Sequence, residues 1–285
     1  MAVEPVVYGQ SERPPRGDYA RAAADYTCDQ NCAAYTEADH DTYRRLYARQ
    51  SALLPGLACD EFIAALPALG AVDAIPRFED INRRLLPATG WQLVGVPGLI
   101  PDVPFFTLLA ERKFPVTDWI RKPEEFAYIV EPDVFHDLFG HVPLLFNPVF
   151  ADHMQAYGVG GLKAHRLGAA EKLARLYWYT IEFGLIRQRN GLRAYGAGIL
   201  SSSAELQRSV TNPEPKRIAL DVLRAMRTRY IIDSYQKTYF VIDSIQDLFD
   251  KTAPDFTPLY AALRDLPDVE AGQSLASDSR ITSAS

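Results

Sequence analysis

The stretch 169–188 is the longest helix-compatible part of the chain, and it is apolar on nearly every side of the predicted helix. A helix with this pattern has no side suited to solvent, so we predict that it lies at the centre of the fold. One acidic residue, Glu182, falls within it. Because an unpaired buried carboxylate is costly, Glu182 must find a cation, a metal ion or a proton.

The sequence offers two partners for Glu182. Arg175 lies two helical turns earlier on the same side, and a buried Arg175–Glu182 ion pair is a purely structural explanation. The second is a metal ion, because His136 and His141, two of the chain's five histidines, stand close together in an apolar segment. Two histidines and a carboxylate form the ligand set of non-haem iron(II) oxygenases, but zinc accepts the same set. The residues alone leave iron and zinc open.

The spacing of the two histidines constrains the local backbone. Zinc proteases use histidines four residues apart, which share one helix face. His136 and His141 are five apart, so a regular α-helix would separate their side chains by about 140°. Both reach one ion only where the helix ends or is distorted, and we predict an end because Gly140 and Pro143 disfavour continuation. Two unrelated histidines, one solvated and one in the core, are the simpler alternative.

Composition excludes several classes of protein. The chain is 48% hydrophobic and 23% charged, which is typical of a globular protein. A net charge of -6 without a basic stripe argues against a nucleic-acid partner. No apolar run approaches the roughly 20 residues that span a bilayer. Cys28, Cys32 and Cys59 provide no disulfide framework, so together with the polar N-terminus we expect a cytoplasmic protein.

Helical periodicity recurs over most of residues 35–266 and is interrupted by short β-rich stretches. We therefore predict a single, mostly α domain with a few short β-strands, an α+β fold. Residues 91–96 and 238–242 are typical of strands, and residues 217–227 are predicted to be helical.

The two ends of the chain differ in composition from the rest. Residues 1–34 are rich in Pro, Arg, Asp and Ala without a sustained period, and residues 267–285 are small and polar. We predict a flexible N-terminal arm over 1–34 and a disordered C-terminal tail over 267–285.

Five segments together resemble the pterin-dependent aromatic amino acid hydroxylases, in their short bacterial form. They are WQLVGVPGLIP (91–101), EPDVFHDLFGHVPLL (131–145), ARLYWYTIEFGL (174–185), YGAGILSS (195–202) and QKTYFVIDS (236–244). The resemblance implies a helical catalytic domain that binds iron(II) through His136, His141 and Glu182. It also implies a tetrahydropterin, either tetrahydrobiopterin or a related bacterial pterin, and O2 as co-substrate.

The implied reaction is the hydroxylation of L-phenylalanine to L-tyrosine in phenylalanine catabolism. The same chemistry on tryptophan or tyrosine stays open, as do a zinc hydrolase with the same ligands and a binding protein without enzymatic activity. The chain shows neither the regulatory domain nor the tetramerisation tail of the animal relatives, so we expect a monomer whose partners are small molecules.

The resemblance also implies contacts for substrate and cofactor. Arg121 would clamp the substrate carboxylate, because a planar guanidinium suits a bidentate contact. The other implied substrate contacts are Tyr128, Pro132, Trp178, Phe183, Gly198, Ser201 and Ser202. The implied pterin contacts are the backbone of Gly98, Leu99 and Ile100, with Phe105 stacked on the ring and Asp137 and Tyr177 at its border. For each of these residues, the alternative is an ordinary structural role in a turn or in the core.

Overall fold

The computed structural model describes residues 16–70, 72–127, 129, 131–253 and 255–281. Helices dominate these residues, which confirms the predicted mostly α fold with a few short strands. The α-helices are α1 (Glu37–Leu53), α2 (Asp60–Ala65), α3 (Phe78–Thr89), α4 (Asp102–Ala110), α5 (Val142–Leu145), α6 (Pro148–Arg166), α7 (Ala170–Tyr177), α8 (Ala197–Leu200), α9 (Ser203–Thr211), α10 (Val222–Arg227), α11 (Ile245–Thr252) and α12 (Thr257–Asp265). The strands are β1 (Gln92–Val96), β2 (Lys113–Thr117), β3 (Leu185–Gln188), β4 (Gly191–Ala194), β5 (Lys216–Ala219) and β6 (Thr238–Ile242).

Strands β1 and β2 form a parallel pair that determines where the main cavity lies. Helix α4 connects them as a crossover, and Val96 at the end of β1 stands opposite Thr117 at the end of β2. The carboxyl ends of both strands therefore lie at one edge. The segments that follow, beginning at residues 97 and 118, leave the sheet side by side.

The other four strands form a second sheet in the order β4-β3-β6-β5. Strand β6 is parallel to both neighbours, and all five of its residues are buried. This matches its Thr-Tyr-Phe-Val-Ile sequence, because a central strand covered on both faces is continuously apolar.

The predicted helix over 169–188 is wrong after Glu182. Helix α7 ends at Tyr177, a π-helical turn covers Trp178–Glu182, and residues 185–188 form strand β3. Leu185 and Ile186 are buried between β4 and β6. A short apolar run suits a buried strand as well as a buried helix, so periodicity could not separate them.

The predicted helix over 217–227 is also partly wrong. Residues up to Ala219 belong to strand β5, and helix α10 begins only after Asp221. The Asp221 side chain accepts a hydrogen bond from Arg224 N at 2.7 Å and thereby caps the helix N-terminus.

The predicted flexible arm is wrong for residues 16–34. Cys28 N donates to Gly95 O at 2.8 Å on strand β1, and Asn31 N donates to Asp118 Oδ1 at 3.0 Å. In both contacts the arm contributes a main-chain N–H, so the composition of the segment did not reveal them. The three cysteines are free thiols, as predicted. The rest of the predicted arm, residues 1–15, lies outside the described residues.

The predicted disordered tail is wrong for residues 267–281. Val269 N donates to Arg227 O at 2.8 Å, and Val269 O accepts from Arg229 N at 2.9 Å. Asp268 accepts hydrogen bonds from Arg175 and Lys172 at 2.7 and 2.5 Å. The tail is therefore held on helices α7 and α10, while residues 282–285 lie outside the described residues. The domain boundaries at 35 and 266 stay a prediction. Among the described helices, none has the length and hydrophobicity that crossing a bilayer requires.

We expect Asp268→Asn to lower the free energy of unfolding at pH 7 by about 1 to 2 kcal/mol, because it weakens charge-assisted hydrogen bonds. The hydrogen bond from Arg175 above all, followed by those from Lys172 and Arg229, lowers the pKa of Asp268 despite partial burial. The stabilisation is therefore complete above the unfolded pKa of about 4 and declines as the pH falls below it.

Urea unfolding of both proteins at pH 7 and pH 3 measures this difference. The exposed Asp265→Asn change is the matched control and should leave stability unchanged. An equal effect of Asp268→Asn at both pH values would contradict the expectation.

Candidate metal centre and active site

A π-helical turn brings the two histidines together. Residues His136–His141 form this turn, and a π-helix pairs each residue with the one five positions later. His136 and His141 therefore stand one turn apart on the same side. The predicted helix end at Gly140 and Pro143 is wrong, because the chain continues directly into α5. The helix is widened at this turn and does not end there.

Gly140 is required where this turn meets helix α8. A Cβ atom at Gly140 would lie 2.8 Å from the carbonyl oxygen of Ala197, so a larger residue would push α8 away. Ser201 follows α8 and contacts the first histidine, with Oγ 2.8 Å from His136 Nδ1. The close packing of the π turn against α8 therefore places Ser201 next to His136.

The hydrogen bonds of Ser201 determine which nitrogen of His136 is free. Its Oγ donates to Ala197 O at 2.8 Å. A hydroxyl has one proton, so toward His136 the Ser201 oxygen must accept, and His136 Nδ1 carries the hydrogen. His136 Nε2 is then unprotonated and available to a metal ion.

The ligand atoms of His136, His141 and Glu182 converge within 4.8 Å of one another. The two Nε2 atoms are 3.3 Å apart, and the Glu182 oxygens lie 3.1 Å from His141 Nε2 and 3.6 Å from His136 Nε2. Ligands about 2.0 to 2.2 Å from one ion stand roughly 3.0 to 3.4 Å from each other. The spacing is that of a mononuclear metal site.

The alternative ion pair between Arg175 and Glu182 is not formed. Arg175 instead donates to Asp268 and to Glu171, the latter at 2.5 Å. Glu182, at the end of the second π turn, has only the two histidines as ion-pair partners among the described residues.

The protonation states suit a cation. Burial lowers the pKa of His136 to about 4, so its imidazole is neutral at pH 7. Burial acts against ionisation of Glu182, but His141 outweighs it and the pKa of Glu182 is lowered. Burial likewise acts against charge on His141, but Glu182 outweighs it and raises the pKa of His141. The two shifts favour opposite charges on His141 and Glu182, and a divalent metal ion can take the place of the proton on His141.

A cavity of about 370 Å³ opens over this centre, at the carboxyl ends of β1 and β2. Every predicted site residue that the structure describes lines it, and Tyr128 lies outside the described residues. The predicted residues that line the cavity are His136, His141, Glu182, Gly98, Leu99, Ile100, Phe105, Asp137, Tyr177, Arg121, Pro132, Trp178, Phe183, Gly198, Ser201 and Ser202.

Arg121 is held in place by a residue that the sequence did not indicate. Asp133 accepts from Arg121 Nε and Nη2, both at 2.8 Å, and neither side chain is exposed by more than 3%. Asp133 Oδ1 also accepts from His136 N at 3.0 Å. One buried carboxylate therefore orients both the cavity's arginine and the first metal-site histidine. Its position just before the histidines was the available signal.

The aromatic wall of the cavity has further members. Trp178 stacks on Tyr230 with ring centres 4.4 Å apart and lies 4.7 Å from Phe183. Trp178 Nε1 donates to Gln236 Oε1 at 3.0 Å, and Gln236 N donates to the buried carboxylate of Glu205 at 3.1 Å. Sequence reasoning missed Tyr230, Gln236 and Glu205 as cavity residues. Only Gln236 had a signal, since it opens the segment QKTYFVIDS.

The predicted pterin contacts form another side of the cavity. Phe105 meets Tyr177 edge-on with ring centres 5.8 Å apart. Asp137 Oδ2 accepts from Thr117 N at 2.7 Å at the end of β2, and burial raises the pKa of Asp137 to about 7. This side therefore offers aromatic faces beside one polar group.

A helical domain with two histidines and one carboxylate at the base of an open cavity defines a metal-dependent enzyme. A sequence model of the biopterin-dependent aromatic amino acid hydroxylases matches residues 4–257. The chain belongs to this family.

The bacterial relatives in this family are similar along most of their length, whereas an animal relative is covered over less than half of its own length. Phenylalanine-4-hydroxylase of Ralstonia nicotianae is 61% identical over 249 residues, which cover 87% of this chain and 80% of that protein. Phenylalanine-4-hydroxylase of Chromobacterium violaceum is 57% identical over 251 residues, with 88% and 84% covered. Tyrosine 3-monooxygenase of Canis lupus familiaris is 39% identical over 222 residues, with 76% and 44% covered.

The solved structure of the Chromobacterium violaceum phenylalanine hydroxylase bound to cobalt matches with a TM-score of 0.90 at 55% identity. The match covers 91% of this chain and 95% of that chain. It confirms the predicted single helical catalytic domain of the aromatic amino acid hydroxylase type.

We expect His141→Ala and Glu182→Ala each to abolish the retention of iron(II), because two remaining ligands hold a divalent ion weakly. Metal analysis after loading and desalting measures retention, and circular dichroism checks that the variants fold. His165→Ala, an exposed histidine of α6, is the matched control and should retain iron like the unaltered protein. Normal iron content in both site variants would refute the metal centre.

We expect Ser201→Ala to weaken metal binding about 10- to 100-fold, because His136 loses the acceptor that sets its tautomer and ring orientation. Calorimetric titration with cobalt(II) measures the affinity without interference from oxidation. Ser203→Ala, two residues later, removes a hydroxyl that does not contact His136 and should bind cobalt(II) normally. Equal affinities for both variants would remove the proposed role of Ser201.

Proposed function

We propose that this protein is a tetrahydropterin- and O2-dependent iron monooxygenase that converts L-phenylalanine to L-tyrosine. The observation that carries the proposal is the convergence of His136, His141 and Glu182 at the base of a cavity large enough for small aromatic molecules. Three such ligands would hold iron(II) from one side and would leave coordination positions for O2.

The donor set fits the metal that this reaction requires. Two neutral imidazoles and a carboxylate without a thiolate suit iron(II), and no residue near them need act as a hydrolytic base. When bound, iron(II) and the tetrahydropterin supply the electrons and the activated oxygen for hydroxylation. The protein's part is to bind both, to orient the substrate and to exclude water.

Arg121 would anchor the substrate. Its guanidinium lines the cavity while Asp133 fixes its other edge, so the group is oriented before a ligand arrives. A preoriented guanidinium binds a carboxylate strongly and directionally. The amino acid would therefore bind with its carboxylate at Arg121 and its side chain toward the metal centre.

The aromatic wall would receive the substrate ring. Trp178, Phe183 and Pro132 supply apolar surface beside Glu182. Trp178 cannot rotate freely, because Gln236 accepts its indole hydrogen and Tyr230 covers its face. A rigid apolar wall next to the metal centre keeps the ring close to where oxygen is activated.

The pterin would occupy the side formed by loop 97–100 and helix α4. Flat pterin rings suit the aromatic face of Phe105, and their polar edges suit the backbone groups of the loop. Asp137, with its pKa near 7, can exchange a proton or a hydrogen bond with a ring nitrogen.

The names of the bacterial relatives support phenylalanine as the substrate of this protein. Three bacterial relatives, 50 to 61% identical to this chain, carry the name phenylalanine-4-hydroxylase. The tyrosine 3-monooxygenase relative is less similar, at 39%. A monomeric state and a cytoplasmic location stay predictions from the sequence.

We expect the iron(II)-loaded protein to form tyrosine from phenylalanine with tetrahydrobiopterin and O2, and to act more slowly on tryptophan and tyrosine. Chromatography of the products, with parallel measurement of oxygen uptake, tests this. Zinc-loaded protein should form no product, because zinc is not redox-active. Faster conversion of tryptophan, or turnover with zinc, would favour one of the alternatives.

A further inference from the structure

Residues 16–21 lie against the loop that forms one side of the cavity. Tyr19 is 8% exposed, and its hydroxyl donates to Leu99 O at 2.8 Å. Gly17 has a φ of +94° and packs its backbone directly on the carbonyl group of Pro97, where a Cβ atom has no room. Gly98 in turn lies against Arg16 O. The segment therefore follows loop 97–100 closely.

The same residues also contact the segment that follows β2. Arg16 forms an ion pair with Glu125, with Nη1 to Oε2 at 2.7 Å, and its guanidinium lies 5.0 Å from the ring centre of Trp119. Arg21 Nη1 donates to Asp118 Oδ2 at 2.6 Å. Residues 16–21 thus connect loop 97–100 to segment 118–131, the two stretches that leave the β1–β2 edge. We name residues 16–21 the clasp.

The two connected stretches carry different parts of the proposed site. Gly98, Leu99 and Ile100 line the cavity on the pterin side, while Arg121 lines it on the substrate side. No residue of the clasp lines the cavity. The clasp therefore acts on the site through the loops and not by contact with a ligand.

The bond from Tyr19 determines how the loop presents its backbone. Tyr19 itself does not line the cavity, whereas Leu99 and Ile100 do. In a planar trans peptide the carbonyl and the following N–H point in opposite directions. Fixing Leu99 O toward Tyr19 therefore directs Ile100 N–H away from Tyr19.

We propose that the clasp preorganises loop 97–100 for the pterin and that Tyr19 is its positioning residue. The proposal rests on the proposed function, since it assigns the pterin to this loop. A loop whose ligand contacts are backbone groups has no side chain to compensate for a displaced peptide. Holding it before binding removes an ordering cost that the ligand would otherwise meet.

We expect Tyr19→Phe to weaken binding of 7,8-dihydrobiopterin, a pterin already too oxidised to support turnover, about 5- to 10-fold. This is the loss expected for one hydrogen bond. Calorimetric titration of the metal-loaded protein measures it. Metal content, phenylalanine affinity and kcat at saturating tetrahydrobiopterin should be unchanged, so that only the KM for the pterin rises.

Two further variants separate positioning from general stability. Tyr26→Phe removes a hydroxyl of the same N-terminal region that bonds neither loop 97–100 nor segment 118–131, and it should bind the pterin normally. Arg16→Gln breaks the ion pair with Glu125 and should weaken pterin binding as Tyr19→Phe does. Unchanged pterin affinity in Tyr19→Phe would overturn the proposal, as would an equal loss of pterin, phenylalanine and metal.

A measurement on the unliganded protein tests the role of Tyr19 independently of the proposed function. Amide hydrogen exchange of residues 98–100 in the unliganded protein should accelerate in Tyr19→Phe and stay unchanged in Tyr26→Phe. If the unaltered protein binds no pterin and forms no tyrosine, the proposed function fails while the exchange result still reports on the clasp. Unaltered exchange in Tyr19→Phe would show that the loop does not depend on Tyr19.

Discussion

Glu182 places a negative charge where little water reaches it, with its side chain 14% exposed. Such a group destabilises the fold unless a compensating charge lies beside it. Arg175, two helical turns earlier, is committed to Asp268 and Glu171, so compensation falls to His136 and His141. Ser201 and Asp133 are also buried, and each forms a hydrogen bond with His136.

The geometry of the centre depends on two widened helical turns. His136–His141 and Trp178–Glu182 are both π-helical, and such turns are rare and concentrated at functional sites. The first aligns histidines that a regular α-helix would separate. The second ends α7 with Glu182 facing them, after which the chain turns into β3. Gly140 makes the first turn compatible with the close packing of α8.

The cavity owes its shape to segments far apart in sequence. Loop 97–100 and segment 118–131 both begin at the edge formed by the carboxyl ends of β1 and β2. The clasp contacts both of them. The tail reaches α7 from the other end of the chain through Asp268, at 2.7 Å from Arg175. Both ends of the described chain therefore support the elements that carry the site, although their composition is typical of mobile segments.

Local residue pattern and the family resemblance together predicted the mostly α fold, the candidate ligands His136, His141 and Glu182, and the cavity lining that includes Arg121. These follow from the cost of a buried acid and from motifs that are contiguous in the chain. Only the tertiary structure decided the partners. The local pattern does not specify that Asp133 pairs with Arg121, that Gln236 bonds to Trp178 or that residues 185–188 form a strand, because each depends on how separate segments pack together. The ordered clasp and tail escaped prediction for a related reason, since backbone hydrogen bonds such as Cys28 N to Gly95 O do not depend on which side chain is present.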